Sequence, residues 1–260
     1  MPKHLIRLNR TLLALLLMLP LTALAQHSQP YLSESWSMVP KADRTEAFWE
    51  GLKEHMAVRE KHEDPRDWYV YTPLLGEELD TVAVRACCFS WADMDSYREW
   101  AAANPDVQKH WQEEVHPHVA HYGHFISQIS WANSNWEKDW GPFKFFGVTR
   151  FELEPGEAAD FDAVRDELSQ IAINNGWGGE DHPWMWAKSV GGTPTEMVIV
   201  PFRNFADMEQ TGESFYDFIV RVLGSSEAAE ARFTRMAEAI DEQDYQVWEL
   251  HESMSMSSAD

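Results

Sequence analysis

Cysteine is nearly absent from this chain of 260 residues, and the two that occur, Cys87 and Cys88, are adjacent. Neighbouring residues on a strand point to opposite faces, so the pair is expected to pack as two small thiols and not to bridge; nor can it staple distant segments. Stability must then come from a core, for which 13 Trp, 13 Phe and 7 Tyr supply the material. Basic residues are also scarce. With 21 Lys and Arg against 43 Asp and Glu the formal net charge is -22, a surface that repels nucleic acid and anionic lipid. There is no Gly-x-Ser-x-Gly nucleophile turn, and Gly176, Gly178 and Gly179 follow a helical stretch instead of opening one, which is the wrong order for a phosphate-cradling loop.

Long apolar runs are missing too, apart from Leu12 to Leu19. That run follows Lys3, Arg7 and Arg10 and leads to Ala23-Leu24-Ala25, the pattern of a secretory leader with its small-x-small cleavage site. Residues 1–25 are therefore expected to be a signal peptide, leaving a periplasmic or secreted chain with no membrane segment, since a span needs about 20 apolar residues.

What the chain does have is a repeat. Val82-Ala-Val-Arg-Ala-Cys-Cys-Phe-Ser-Trp-Ala-Asp-Met94 is echoed by Glu196-Met-Val-Ile-Val-Pro-Phe-Arg-Asn-Phe-Ala-Asp-Met208, and Trp91 to Phe205 and Met94 to Met208 share the same offset of 114 residues. A period this long marks a duplicated domain.

Around each copy the hydrophobic pattern gives the same order. Strands are expected over 34–39, 68–72, 81–89 and 124–131, with helices over 40–62, 91–102 and from Pro105 to about Tyr122. The second half offers strands over 145–153, 183–188, 196–202 and 245–250 and helices over 158–174, 214–223 and 227–240. Each half is βαββαβ, the ferredoxin-like order. The units run over 31–131 and 143–252, joined by 132–142, with 253–260 as a frayed tail.

A ferredoxin-like sheet carries helices on one face, so two such sheets can bury their bare faces against each other. In this order and duplication the chain resembles the dimeric α+β barrel superfamily in tandem form, an α+β fold shared by small monooxygenases and chlorite-dismutase-like haem proteins. The resemblance implies two units packed sheet to sheet as a barrel. It also implies either cofactor-independent oxygenase or proton-transfer chemistry, or a haem in the second unit, where the chain offers His182 and His251.

Strand alternation selects candidate site residues. Val82, Val84, Ala86 and Cys88 form an apolar set for the helix side, matched by Val198, Val200 and Phe202. Arg85, Cys87 and Phe89 then look between the sheets, and Arg85, with Arg150 and Lys188, must meet an internal carboxylate such as Glu249 or await an anionic ligand. Tyr69 with Tyr71, and Trp184 with Trp186, each share a face and would wall a cavity for a flat or apolar small molecule, or else fill the barrel solid. Five histidines lie between 110 and 124. On a continuous helix His110, His118 and His121 would share a face and hold a divalent metal or haem iron; the other reading is a solvated helix surface. A barrel with a filled interior would leave the outer surface to bind a partner protein, and further association into oligomers stays open.

Overall fold

The computed structural model describes residues 31–136, 142–177, 183–209 and 211–257. The leader over 1–25 and the central part of the joining segment lie outside these residues.

The first unit comprises β1 (Leu32–Pro40), α1 (Thr45–Lys61), β2 (Tyr69–Leu75), β3 (Val82–Phe89), α2 (Trp91–Ala103), α3 (Pro105–His110) and β4 (Val119–Ile129). The second comprises β5 (Phe145–Leu153), α4 (Ala158–Asn174), β6 (Met185–Ser189), β7 (Thr195–Phe202), α5 (Phe215–Leu223), α6 (Ser226–Glu238) and β8 (Ile240–Leu250). All eight strands close into one antiparallel barrel in the order β1-β3-β2-β8-β5-β7-β6-β4. Within that ring each unit keeps the ferredoxin-like order, and the units join through β2 with β8 and through β6 with β4. Full closure leaves no free sheet edge.

The helices stay outside. Phe48, Leu52 and Met56 of α1 recur every four residues and pack on Val70, Val82, Val84 and Ala86. Phe161, Val164 and Leu168 of α4 do the same against Phe151, Trp184 and Trp186. Fully burying a Phe or Leu side chain contributes roughly 1.5–3 kcal/mol, so these two stripes anchor the helices to the barrel. The repeated Ala-Asp-Met motif acts locally in both copies. The Ser90 hydroxyl accepts from the Asp93 amide to cap α2, and the Asn204 side chain accepts from the Asp207 amide at the matching turn.

The chain departs from its sequence pattern in four places. The long helix expected from Pro105 to Tyr122 stops early: α3 passes into a π-helical turn over Trp111–Val115, Pro117 withholds the next donor, and the alternating run from Val119 joins the sheet instead. β8 begins at Ile240, five residues before the expected start, because Ile240 and Glu242 to Asp244 find partners on β5. Within the described part of the tail, 253–257, Met256 pairs with Trp68 by two backbone hydrogen bonds and is buried in the first core. Cys87 and Cys88, expected to stay unbridged, form a disulfide with each other across a cis peptide bond.

That last departure coincides with a slip of phase. Leu32 pairs with Phe89 while its neighbour Ser33 pairs with Cys87, so Cys88 is an extra residue on β3. Cys88 therefore joins Cys87 on the inner side, packed against the barrel interior. Phe89 returns to the helix side, buried beneath the Arg66 guanidinium, which lies 4.1 Å from the centre of its ring. Alternation alone had put both residues on the opposite faces.

Candidate functional site

The inner face of the barrel is a separate apolar layer. Tyr71, Ile129, Phe146, Met185, Ala187 and Ile199 form its buried part. Tyr71 and Phe146, from opposite units, meet edge to face at 5.4 Å between ring centres, an arrangement favoured by the ring quadrupoles.

Away from this plug the inner face opens. On β3 the helix-facing Val82, Val84 and Ala86 are buried, whereas the inward Ala83, Arg85 and Cys87 are only partly so. The bare side of the first sheet is thus the wetter one. Its floor is made of small residues. Ser33, Ser35 and Ser37 alternate along β1 with Glu34, Trp36 and Met38, and the register sets Ser35 opposite both Arg85 on β3 and Phe125 on β4. Phe125 shares this face by register and is 54% exposed. Gly123 leaves room for the ring, because a Cβ there would come within 2.7 Å of Phe125 Cε2.

Arg85 is the charged centre of this surface. Its Nη2 donates to the Ser33 hydroxyl at 3.0 Å, and Tyr69 on β2 is its direct cross-strand neighbour. Burial lowers the Arg85 pKa, with the Tyr71 phenol acting the other way. Burial likewise pushes the Tyr71 phenol well up, opposed by Arg85, so at neutral pH the phenol stays protonated. The arrangement is a guanidinium and hydroxyls on an otherwise apolar face, a donor set suited to a small anion or to a developing negative charge.

Of the residues the sequence singled out, Tyr69, Tyr71 and Arg85 come together on this inner face. Arg150 has inward parity but lies near two carboxylates, 3.8 Å from Asp244 and 3.9 Å from Glu152. Trp184 and Trp186 are on the other side of the sheet: both are buried in the helix-facing core, and Trp186 packs on Phe151 and Phe161. Lys188 follows the same parity and lies 3.5 Å from Asp162 of α4. Glu249 is not the partner of Arg85; it pairs with Lys144 at 3.0 Å. Ser33, Ser35, Phe125 and Trp248 complete the inner face and were not singled out, although the Ser-x-Ser-x-Ser alternation on β1 carried the signal.

The histidines do not converge. The His110 ring lies tilted against His55 at 5.5 Å between centres, His116 hydrogen-bonds the Tyr122 hydroxyl at 3.0 Å, and His118 closes the short turn before β4. His121 lies in β4, and so does His124, which donates to Glu34 at 2.8 Å while stacked on Trp36. The shared helical face required of His110, His118 and His121 is absent because there is no continuous helix. Among the described residues no group of three or more His, Cys, Asp or Glu could hold a metal ion. Among the described residues of the second unit, none on the inner face offers a haem iron a histidine. The second-unit residues that pack in the inner layer include Phe146, Val148, Met185, Ala187, Met197, Ile199, Trp248 and Leu250, none of them histidine. His251 shares a 2.7 Å hydrogen bond with Thr72 and packs near Trp49 of α1, outside the barrel, and His182 lies outside the described residues.

A recess lies at the end of β3, with both cysteines in its wall. It is a cavity of about 350 Å³ bounded by Cys87, Cys88, Phe89, Arg66, Asp93 and Tyr97, with Ser96 at its wall. Arg66 is held there by an ion pair to Glu34 and lies between the Phe89 and Tyr97 rings.

No family model and no curated protein matches the chain. Solved structures do match in fold. An anthrone oxidase-like protein aligns with a TM-score of 0.53 at 10% identity over 90% of this chain and 95% of its own. A candidate monooxygenase from Lactobacillus acidophilus aligns at 0.51 and 7% identity, over 85% and 94%. A variant chlorite dismutase from Candidatus Nitrospira defluvii aligns at 0.51 and 10% identity, over 87% and 94%. Identities this low carry the fold alone. The chain shares with them the tandem ferredoxin-like α+β barrel fold that its duplication implied.

Proposed function

We propose that the protein binds a small, flat aromatic molecule bearing an anionic or acidic group within its barrel, against the inner face of the first unit. The observation that carries this reading is Arg85, inward, half-buried and hydrogen-bonded to Ser33, with Tyr69 across from it and Phe125 exposed on the same face. A carboxylate or phenolate would be met by Arg85 and the β1 hydroxyls, while Tyr69 and Phe125 supply ring surface. Oxidase and monooxygenase names among the structural relatives make substrates of this size reasonable for the fold. In an oxygenase of this kind Arg85 would hold the ionised form of the substrate, the role of an electrostatic stabiliser. The leader pattern of residues 1–25 supports action in the periplasm or outside the cell.

The test is equilibrium binding of simple aromatic acids and phenols, with benzoate, salicylate and the neutral benzamide as probes. Binding of the anions but not of benzamide, weakened at least about tenfold in Arg85→Gln, is the expected result. Equal binding of charged and neutral probes, or affinity unchanged in the variant, would remove Arg85 from the function.

A further inference from the structure

We infer that Cys87 and Cys88 form a reversible thiol–disulfide site, addressed through the 350 Å³ cavity at the end of β3 by a small thiol of neutral or positive charge. Three observations meet here. First, the two cysteines are the only ones in the chain, so the bond closes no loop between elements and holds no distant segments together. The barrel is held by eight paired strands and its cores instead. Second, the extra residue at Cys88 turns both sulfur-bearing residues to one side of the strand, where each remains partly exposed. Third, both cysteines bound the cavity, so a reagent of a few heavy atoms has a route to them, which exchange at sulfur requires.

The cavity wall sets the chemical class. Asp67 and Asp93 stand against the single cation Arg66, which is committed to Glu34, and the whole chain carries a net charge of -22. An anionic thiol meets repulsion on approach, whereas an uncharged or cationic one does not.

The reaction balances without a further component when the reagent is a dithiol. One reagent thiolate attacks a cysteine sulfur; the Cys87–Cys88 bond breaks, a mixed disulfide forms and the other cysteine leaves as a thiolate. The second reagent thiol then displaces the mixed disulfide. Two electrons and two protons pass to the protein, giving two cysteine thiols and one oxidised reagent. A small disulfide reverses the sequence.

The experiment uses the full-length processed chain. Thiols are counted by maleimide labelling and intact mass before reduction, after dithiothreitol treatment, and after reoxidation with hydroxyethyl disulfide, while near-UV circular dichroism follows the fold. The expected result is no label at first, two labels after reduction of the folded chain, and none after reoxidation. At low salt the cysteamine-to-mercaptoacetate rate ratio, divided by the ratio the same two thiols show toward hydroxyethyl disulfide, should be at least about tenfold, and Ser96→Trp, which fills the cavity from α2, should slow reduction by about tenfold. Two free thiols at the outset, or reduction only in denaturant, would overturn the site. A normalised ratio near one or below would overturn its class, and an unchanged rate in a folded Ser96→Trp would overturn its access route. Should Ser96→Trp fail to fold, Ser96→Leu gives the same reading.

Discussion

The Arg85 guanidinium of β3 donates to the Ser33 hydroxyl of β1 at 3.0 Å, tying two neighbouring strands together on the side of the sheet that faces away from every helix. A charge placed there acts on whatever enters the barrel. Replacing Arg85 by Gln removes the charge and leaves a shorter, neutral donor. Loss of a charge-assisted hydrogen bond of about 1.5–3 kcal/mol corresponds to roughly ten- to hundredfold weaker binding of an aromatic carboxylate. The acidic exterior opposes the same ligand at long range, so its association rate should rise as salt screens the surface. Stopped-flow mixing with salicylate at two ionic strengths measures this; a rate that falls with salt would contradict it.

Gly51 of α1 faces the π-helical turn so closely that a Cβ there would overlap the Glu114 carbonyl oxygen. That atom belongs to the backbone and cannot swing away. Gly51→Ala is expected to destabilise the fold by about 1–3 kcal/mol, the usual cost of overpacking, despite the better helix propensity of alanine. Urea unfolding of the two forms gives the difference; equal midpoints would show that α1 and the turn can move apart.

His55 is fully buried in α1 and accepts from Arg59 Nε at 2.9 Å. Burial, then the Arg59 charge, lowers its pKa to about 2. The unfolded chain takes up a proton near 6.5 that the folded one refuses, so the stability contributed by this residue is present above that pH and is lost as pH falls toward 2. His55→Gln keeps an acceptor without titrating. Unfolding free energies measured from pH 7.5 to 4.5 should fall less steeply in the variant.

Glu196 of β7 works in the opposite sense. It accepts from Arg165 of α4 at 2.7 Å, yet burial lifts its pKa to about 7 against the pull of that guanidinium, with Asp162 adding to the rise. The folded chain then binds a proton more readily than the unfolded one, so stability from this group is complete below about 4.5 and is lost as pH rises through 7. In Glu196→Gln the loss between pH 5 and 8 should shrink. A difference between wild type and variant that is flat across this range would place the Glu196 pKa at its ordinary value.

The duplication made most of the architecture legible. Two copies of one strand-to-helix motif, each within a βαββαβ pattern, are enough to give tandem units and to require that their bare sheets meet. Which face each residue takes was less secure. Trp184 and Trp186 share a face, as spacing two demands, but spacing does not say which one. The 114-residue offset does: it aligns Trp184 with Val70 and Met185 with Tyr71, and Val70 packs outward while Tyr71 and Met185 pack inward. The phase slip at Cys88 had no such signal. It is fixed by how β3 pairs with Leu32 and Ser33, a contact made more than fifty positions earlier in the chain. The histidine run misled for a local reason, since one proline and an alternating Val-Ala-His-Tyr stretch convert an apparent helix into a strand.

The account stands on the site being inside the barrel and not beneath the helices, and two tryptophans distinguish these directly. Trp248 packs against the inner layer, and Trp186 packs with Phe151 and Phe161 on the helix side. Tryptophan fluorescence during titration with salicylate should lose most of its ligand-dependent change in Trp248→Phe and keep it in Trp186→Phe. The reverse pattern would move the ligand out of the barrel and leave Arg85 without the role given to it here.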